Sequence, residues 1–159
     1  MSYLSQILRR GDALERKRVV EQVGGLCHRA NAFGVAEVLL ITTRQTKRWT
    51  IPKGWPIKGL DPHQAAKQEA WEEAGVKGRV KKKAFGSFTY DKVLANGETV
   101  PALVQVHLLE TRRVSFAFPE RGERALIWLP ADEASHLVSE LGLKKLLAKF
   151  ARRAASAAT

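Results

Sequence analysis

The run Leu60-Asp-Pro-His-Gln-Ala-Ala-Lys-Gln-Glu-Ala-Trp-Glu-Glu-Ala-Gly-Val76 constrains this chain more than any other segment, because it writes two different faces onto one helix. Asp61 suits the N-cap, Pro62 the first helical position, and Gln64 the reciprocal position of a capping box. Gly75 suits the left-handed residue that ends a helix. Ala66, Ala70 and Ala74 recur at i, i+4 and i+8, a small-residue stripe that lets the helix lie close against a sheet. Beside that stripe, Glu69, Glu72 and Glu73 recur at i, i+3 and i+4 and place their carboxylates on one face. Like charges at this spacing repel, and Glu72 and Glu73 fall in the last turn, where the helix dipole disfavours anions. A solvated acidic face is one reading. The other is a site for a hard divalent cation such as Mg²⁺, which seeks carboxylate oxygens and keeps positions open for a phosphate-bearing substrate.

The segment before the helix favours the second reading. Trp49-Thr-Ile-Pro-Lys-Gly-Trp-Pro-Ile-Lys-Gly59 reads as a short strand running into a Pro/Gly-rich loop that delivers the chain to the helix. Strand, glycine loop and carboxylate helix together resemble the Nudix box, G-x5-E-x7-R-E-U-x-E-E-x-G-U with U aliphatic. Gly54 matches its first glycine, Glu69 the Glu of the Arg-Glu pair, Ala70 the aliphatic position, Glu72 and Glu73 the Glu pair, and Gly75-Val76 the end. Two positions depart from the pattern: Leu60 stands where the first Glu belongs and Gln68 where the Arg belongs. In the family these two tend to form an ion pair that braces the loop against the helix. Their joint replacement leaves no single charge stranded and reads as loss of a brace, not of catalysis. Lys67 lies about 100° around the helix from Gln68 and is no obvious substitute.

The resemblance runs from about Gly24 to Phe150 and is of the diphosphoinositol-polyphosphate phosphohydrolase type, through Leu26-Cys-His-Arg29, Glu37-Val-Leu-Leu-Ile41, Glu72-Glu-Ala-Gly-Val-Lys-Gly78, and Ile127-Trp128 before Asp132-Glu-Ala134. The Pro52-Lys53-Gly54 loop is also similar to that of diadenosine-polyphosphate hydrolases. The resemblance implies an α/β fold, a Nudix-type α/β/α sandwich with a mixed sheet. It also implies a Mg²⁺-dependent pyrophosphohydrolase, with Mn²⁺ as an alternative metal. The implied metal ligands are Glu69, Glu72, Glu73 and the Gly54 carbonyl. Glu69 is the choice for the group that orients or deprotonates water, with Glu73 as the second catalytic carboxylate. Glu120 or Glu123 would supply a further carboxylate from the loop before the last strand.

Composition fits one domain. A chain of 159 residues, 45% hydrophobic and 27% charged, suits a single core. No apolar run reaches the length of a membrane span, and Arg9-Arg10 is not followed by the apolar stretch of a secretory signal. A single cysteine, Cys27, in an apolar strand reads as a core residue in a reducing compartment, the cytoplasm. The formal charge of +11 attracts polyanions. Lys53, Lys58, Arg44 and Arg48 lie in or beside the loop that should face the carboxylates, and Arg18, in Arg16-Lys-Arg18, could reach the cleft; these are the candidate substrate-binding residues. Lys81-Lys-Lys83 reads as solvated surface.

The expected organisation is a basic arm or short helix over 1–18, one domain over 19–153 and a frayed tail over 154–159. Strands are expected at Val19–Arg29, Glu37–Thr43, Val80–Tyr90, Val100–Thr111 and Ala125–Leu129, with Asn96-Gly97 in a hairpin connection. Helices are expected at Ala131–Ser139 and Leu143–Arg153. The four histidines show no ligand spacing. The leading expectation is hydrolysis of a phosphoanhydride bond in a polyanionic small molecule. Removal of pyrophosphate from an RNA 5′ end, with Trp49 or Trp55 stacking on a base, and a catalytically silent binding module are the alternatives. A short apolar face of Tyr3, Leu4, Ile7 and Leu8 more naturally packs on protein than on a membrane, so no membrane partner is expected.

Overall fold

The computed structural model describes residues 18–158; the N-terminal arm expected over 1–18 lies, except for Arg18, outside the described residues. The strands are β1 (Val20–Ala30), β2 (Ala36–Thr42), β3 (Trp49–Thr50), β4 (Lys53–Gly54), β5 (Val76–Val80), β6 (Gly86–Val93), β7 (Thr99–Val114) and β8 (Leu126–Pro130). The helices are α1 (Pro62–Ala74), α2 (Ala131–Leu137) and α3 (Leu141–Ala158). The strands form one mixed sheet with the path β3-β2-β1-β7-β5; β8 pairs with β2, β4 with β1 and β6 with β7. β1 and β7 run parallel over Val20–His28, and the other pairs are antiparallel.

Alternation along the central strands supplies a core on each face. Val38 and Leu40 of β2 join Leu26, Val104, Val106 and Leu108 against Ala131, Ala134, Leu143, Leu147 and Phe150 of α2 and α3. Leu39 and Ile41, the intervening residues, join Cys27 and Leu109 against Ala70 and Ala74 of α1. Helices thus cover both faces, which is the α/β/α sandwich expected from the sequence. Cys27 is fully buried as a core residue, and burial pushes its thiol up to about 12, where it is inert.

The alanine stripe does what its spacing suggests. Ala66, Ala70 and Ala74 are buried, and a Cβ on Gly25 of β1 would already touch the Ala66 carbonyl oxygen at 3.4 Å. The helix ends follow the sequence chemistry: Asp61 N–H donates to Gln64 Oε1 at 2.8 Å in a capping box, and Gly75 takes a left-handed φ of 69°.

Three expectations need correction. The single strand placed over Val80–Tyr90 is two strands, β5 and β6, both paired with the 16-residue β7. Between them Lys81 N–H bonds the Leu108 carbonyl and Phe85 N–H the Val106 carbonyl, so the intervening lysines loop out of the ladder into solvent. The 131–139 helix stops at Leu137. The C-terminal helix begins at Leu141 and runs to Ala158, through the segment expected to fray, because Ala154-Ala-Ser-Ala-Ala158 favours helix and carries no glycine or proline stop. The Asn96-Gly97 connection spans 94–98, longer than a two-residue turn, with Gly97 at φ 84°.

Candidate active site

β4 and the loop after it bring Gly54 directly against the first carboxylate of α1. A Cβ on Gly54 would lie 2.5 and 2.6 Å from the two Glu69 oxygens, so only glycine leaves room for that side chain. Glu69 forms no hydrogen bond or ion pair with any described residue. Burial pushes it up to about 7, reinforced by the charges of Glu73, Glu72 and Glu120. Glu73, one turn on, is buried and also raised to about 7 by burial, while Arg124 and Lys53 hold against the rise. Its Oε1 accepts the Lys53 backbone N–H at 2.9 Å, and its Oε2 lies 3.0 Å from Arg124 Nη2. Glu72 Oε1 accepts from Gln68 Nε2 at 2.9 Å.

That last bond explains one of the two departures from the box. Gln68 steadies Glu72 through an i, i+4 amide bond without adding charge, while Leu60 is exposed and supplies no brace. The loop is held by other means. Gly25 N–H bonds the Pro52 carbonyl, Lys53 N–H bonds Glu73, and Ile57 packs on Val23, Ala65 and Ala66.

The loop between β7 and β8 closes the site. Glu120 N–H bonds the Glu72 carbonyl at 2.9 Å and Ser115 N–H bonds the Gly75 carbonyl at 2.9 Å, which pins this loop to the end of α1. Glu120 then meets Arg124 at 2.6 Å and Arg44 at 3.9 Å, whereas Glu123 pairs with Arg44 at 3.0 Å further out. Arg124, with a side chain 8% exposed, therefore bridges Glu73 and Glu120. Sequence reasoning missed it. Its signal was the i, i+4 relation to Glu120 in the charged run Glu120-Arg-Gly-Glu-Arg124.

These groups line one cleft of about 670 Å³, which includes Arg44, Arg48, Lys53, Gly54, Trp55, Glu69, Glu73, Glu120 and Arg124. Lys53 Nζ sits 4.7 Å from the Tyr90 ring centre, and burial lowers its ammonium to about 8. Tyr90 Oη donates to Gln22 Oε1 at 2.6 Å. Two candidates are not brought to the cleft. Arg18 precedes β1 and lies 3.7 Å from Glu98 on the β6–β7 connection, and Lys58 is an exposed loop residue outside the lining. Glu72 is likewise outside the lining. Trp49 packs on the core, while Trp55 is half-exposed in the cleft.

The donor set is all oxygen, which suits a hard divalent cation. Among the described residues no three His, Cys, Asp or Glu side chains converge closely enough to hold an ion as they stand. Arg124 supplies positive charge at Glu73 and Glu120.

A family model, the NUDIX domain, matches residues 24–153, most of the chain and all of the site just described. The chain belongs to the NUDIX domain family. It is a Nudix hydrolase, of a family that acts on pyrophosphate bonds and generally uses divalent metal ions. Solved structures share the fold. A Caenorhabditis elegans Ap4A hydrolase in a binary complex is 24% identical, with 86% of this chain and 98% of that one covered and a TM-score of 0.64. The NUDIX domain of Shewanella oneidensis NrtR, complexed with ADP ribose, is 14% identical over 96% and 99% of the two chains, with a TM-score of 0.61. The Mycobacterium smegmatis Nudix hydrolase RenU is 17% identical over 86% and 87%, with a TM-score of 0.54. Among curated proteins none matches this Nudix chain in sequence. Among the described residues no helix is long and apolar enough to cross a membrane.

Proposed function

We propose that this Nudix chain hydrolyses a phosphoanhydride bond of a polyphosphorylated small molecule with the help of Mg²⁺. One observation carries the reading: a carboxylate raised to about 7, Glu69, faces Gly54 in the same cleft as Lys53, Arg44 and Arg48. Carboxylate and cations in one cavity suit a reaction in which water must lose a proton beside a chain of phosphates.

Glu69, Glu73 and the Gly54 carbonyl would hold the metal, with Glu72 at the margin. When bound, the ion polarises phosphate oxygens and makes a nearby water more acidic. Glu69 is the proton acceptor: its carboxylate faces Gly54 in the cleft and makes no hydrogen bond with a described residue, so an oxygen is left for the water. The water oxygen bonds to phosphorus, the bridging P–O bond breaks with its electron pair passing to the departing phosphate, and the water proton goes to Glu69. Lys53, Arg44 and Arg48 neutralise the phosphate oxygens and hold the chain in line. Diadenosine polyphosphates, the type of substrate named for the C. elegans relative, and diphosphoinositol polyphosphates both present such a bond.

A phosphate-release screen tests this. It would contain diadenosine polyphosphates, diphosphoinositol polyphosphates, nucleoside diphosphate sugars and 5′-triphosphorylated RNA. Turnover of at least one small molecule, abolished by EDTA and restored by Mg²⁺ or Mn²⁺, is the expected result. No turnover with either metal overturns the reading, and turnover of the RNA alone moves it to RNA 5′ ends.

A further inference from the structure

The excess positive charge of this chain is not spread evenly. α3 carries five Lys and Arg and no acidic residue, and the segment 76–86 carries another five and no acidic residue. Of 27 Lys and Arg these are ten; the other 17 nearly balance the 16 Asp and Glu, so two short segments hold almost all of the +11. The two segments are neighbours in the fold. Lys149 Nζ donates to the Phe85 carbonyl at 3.2 Å and lies 4.4 Å from the Phe85 ring centre, with the Arg153 guanidinium 6.0 Å from the same ring. Phe85 meets Phe150, and Phe150 meets His28 of β1.

Cations converge on this aromatic cluster. Burial lowers the His28 pKa against the charge of Glu110, and Arg153 and Lys81 lower it further, so both stand close to one imidazole. Glu110 itself is 3.0 Å from Arg112. Lys82, Lys83 and Arg152 are exposed beside Lys81 and Arg153 and pair with no described residue. The surface lies far from the cleft. Gln22 of β1 lines the cleft, and His28 is further along the same strand by about 20 Å, at ~3.3 Å per residue. Like charges gathered this closely repel one another and favour a polyanion. The kind of polyanion follows from what the surface lacks. Neither the 81–85 loop nor α3 beyond Lys144 exposes a large apolar side chain, so there is no anchor for a protein partner and none to insert into a bilayer. The cations lie on the ridge of α3 and on the loop beside it, which a flexible chain of evenly spaced charges can follow and a flat plane of headgroups cannot.

We propose that the face formed by the 81–85 loop and the 145–153 stretch of α3 docks the phosphodiester backbone of single-stranded nucleic acid, through charge and without reading its sequence. The cleft takes no part in this contact, so the surface stands or falls separately from the hydrolase reading.

The test measures binding of a labelled oligouridine to the intact chain by fluorescence anisotropy, in EDTA and over a salt series. One variant, Lys82→Ala with Lys83→Ala and Arg152→Ala, removes three exposed cations of this face that pair with no described residue. A second, Lys47→Ala with Lys67→Ala and Arg121→Ala, removes the same charge from exposed positions elsewhere. In the first variant RNA binding should weaken by on the order of 10–100-fold, and the slope of log affinity against log salt should fall by about 2, at roughly 0.7 per lost phosphate contact. The second should lose less than about 3-fold, since only the general attraction of net charge is reduced. Unchanged melting temperatures show that both variants are folded. No RNA binding by the wild type, or equal losses in the two variants, overturns the proposal. Tighter binding to phosphatidylserine vesicles or to polyglutamate than to RNA, with the same dependence on Lys82, Lys83 and Arg152, also overturns it and assigns the face to a membrane or an acidic protein. RNA binding without turnover of any substrate would refute the hydrolase reading while keeping this surface. Turnover without RNA binding would do the reverse.

Discussion

Replacement of Arg124 by Ala is the most informative structural perturbation of this site. Its guanidinium lies 3.0 Å from Glu73 Oε2 and 2.6 Å from Glu120 Oε1, and Arg124 and Glu73 side chains are 8% and 7% exposed. Removing one partner of a buried pair costs about 3–5 kcal/mol, because the other charge is left uncompensated. At about 2–4 °C per kcal/mol for a chain of this size, the metal-free melting temperature should fall by roughly 6–20 °C at pH 8. The loss should shrink on acidification. Glu73 is already held up to about 7 by burial, and without Arg124 it rises further, so a proton neutralises it below that range. Divalent metal should also restore part of the loss by replacing the missing positive charge. The assay is thermal melting of wild type and Arg124→Ala at pH 5.5 and 8, each with EDTA and with Mn²⁺. Equal losses at both pH values, or no recovery with metal, would refute the view that Arg124 acts by compensating the carboxylates.

Gly54→Ala should leave the fold intact, since the new methyl group meets the movable end of Glu69, yet displacing that carboxylate by about 1 Å should lower kcat by on the order of 10²-fold; rate and melting temperature measured together check it. Glu69 and Glu73, both raised from 4.5 to about 7, bind protons in the folded chain that the unfolded chain has released, so metal-free stability should decline as pH rises from about 4.5 through 7. After allowance for solvent screening at half-buried Glu69, its share is about 1 kcal/mol, and saturating Mg²⁺ should remove the decline in a pH series of melts. Lys53, lowered to about 8, loses its charge above that pH, so KM should climb there in the wild type but show no such limb in Lys53→Met.

Much of this was legible because local chemistry and tertiary role coincide in one helix. Asp61, Gln64 and Gly75 set the ends of α1, the alanines its sheet-facing side, and Glu69 and Glu73 its cleft side, with Glu72 just outside the lining. The outer strands were less legible. Lys81-Lys-Lys83 interrupts β5 and β6 only because the far strand β7 pairs with both, a non-local fact that periodicity within residues 76–93 does not carry. Arg124 was missed for the same reason: it is an ordinary charged residue in its own segment, and its meaning comes from Glu73, 51 positions earlier. Arg18 and Lys58 failed in the opposite direction: net charge says that a chain attracts polyanions, not which cations turn towards the site.

The central claim is that the carboxylate face of α1 exists for chemistry and not for stability. Glu69→Gln tests it with two readings from one protein, the Mg²⁺-dependent turnover of the best substrate and the melting temperature in EDTA. Turnover should fall by on the order of 10²–10⁴-fold, while metal-free melting stays level or rises, because one half-buried carboxylate that repels its neighbours has been neutralised. Near-normal turnover with a large drop in melting temperature would contradict the account and make Glu69 a structural residue.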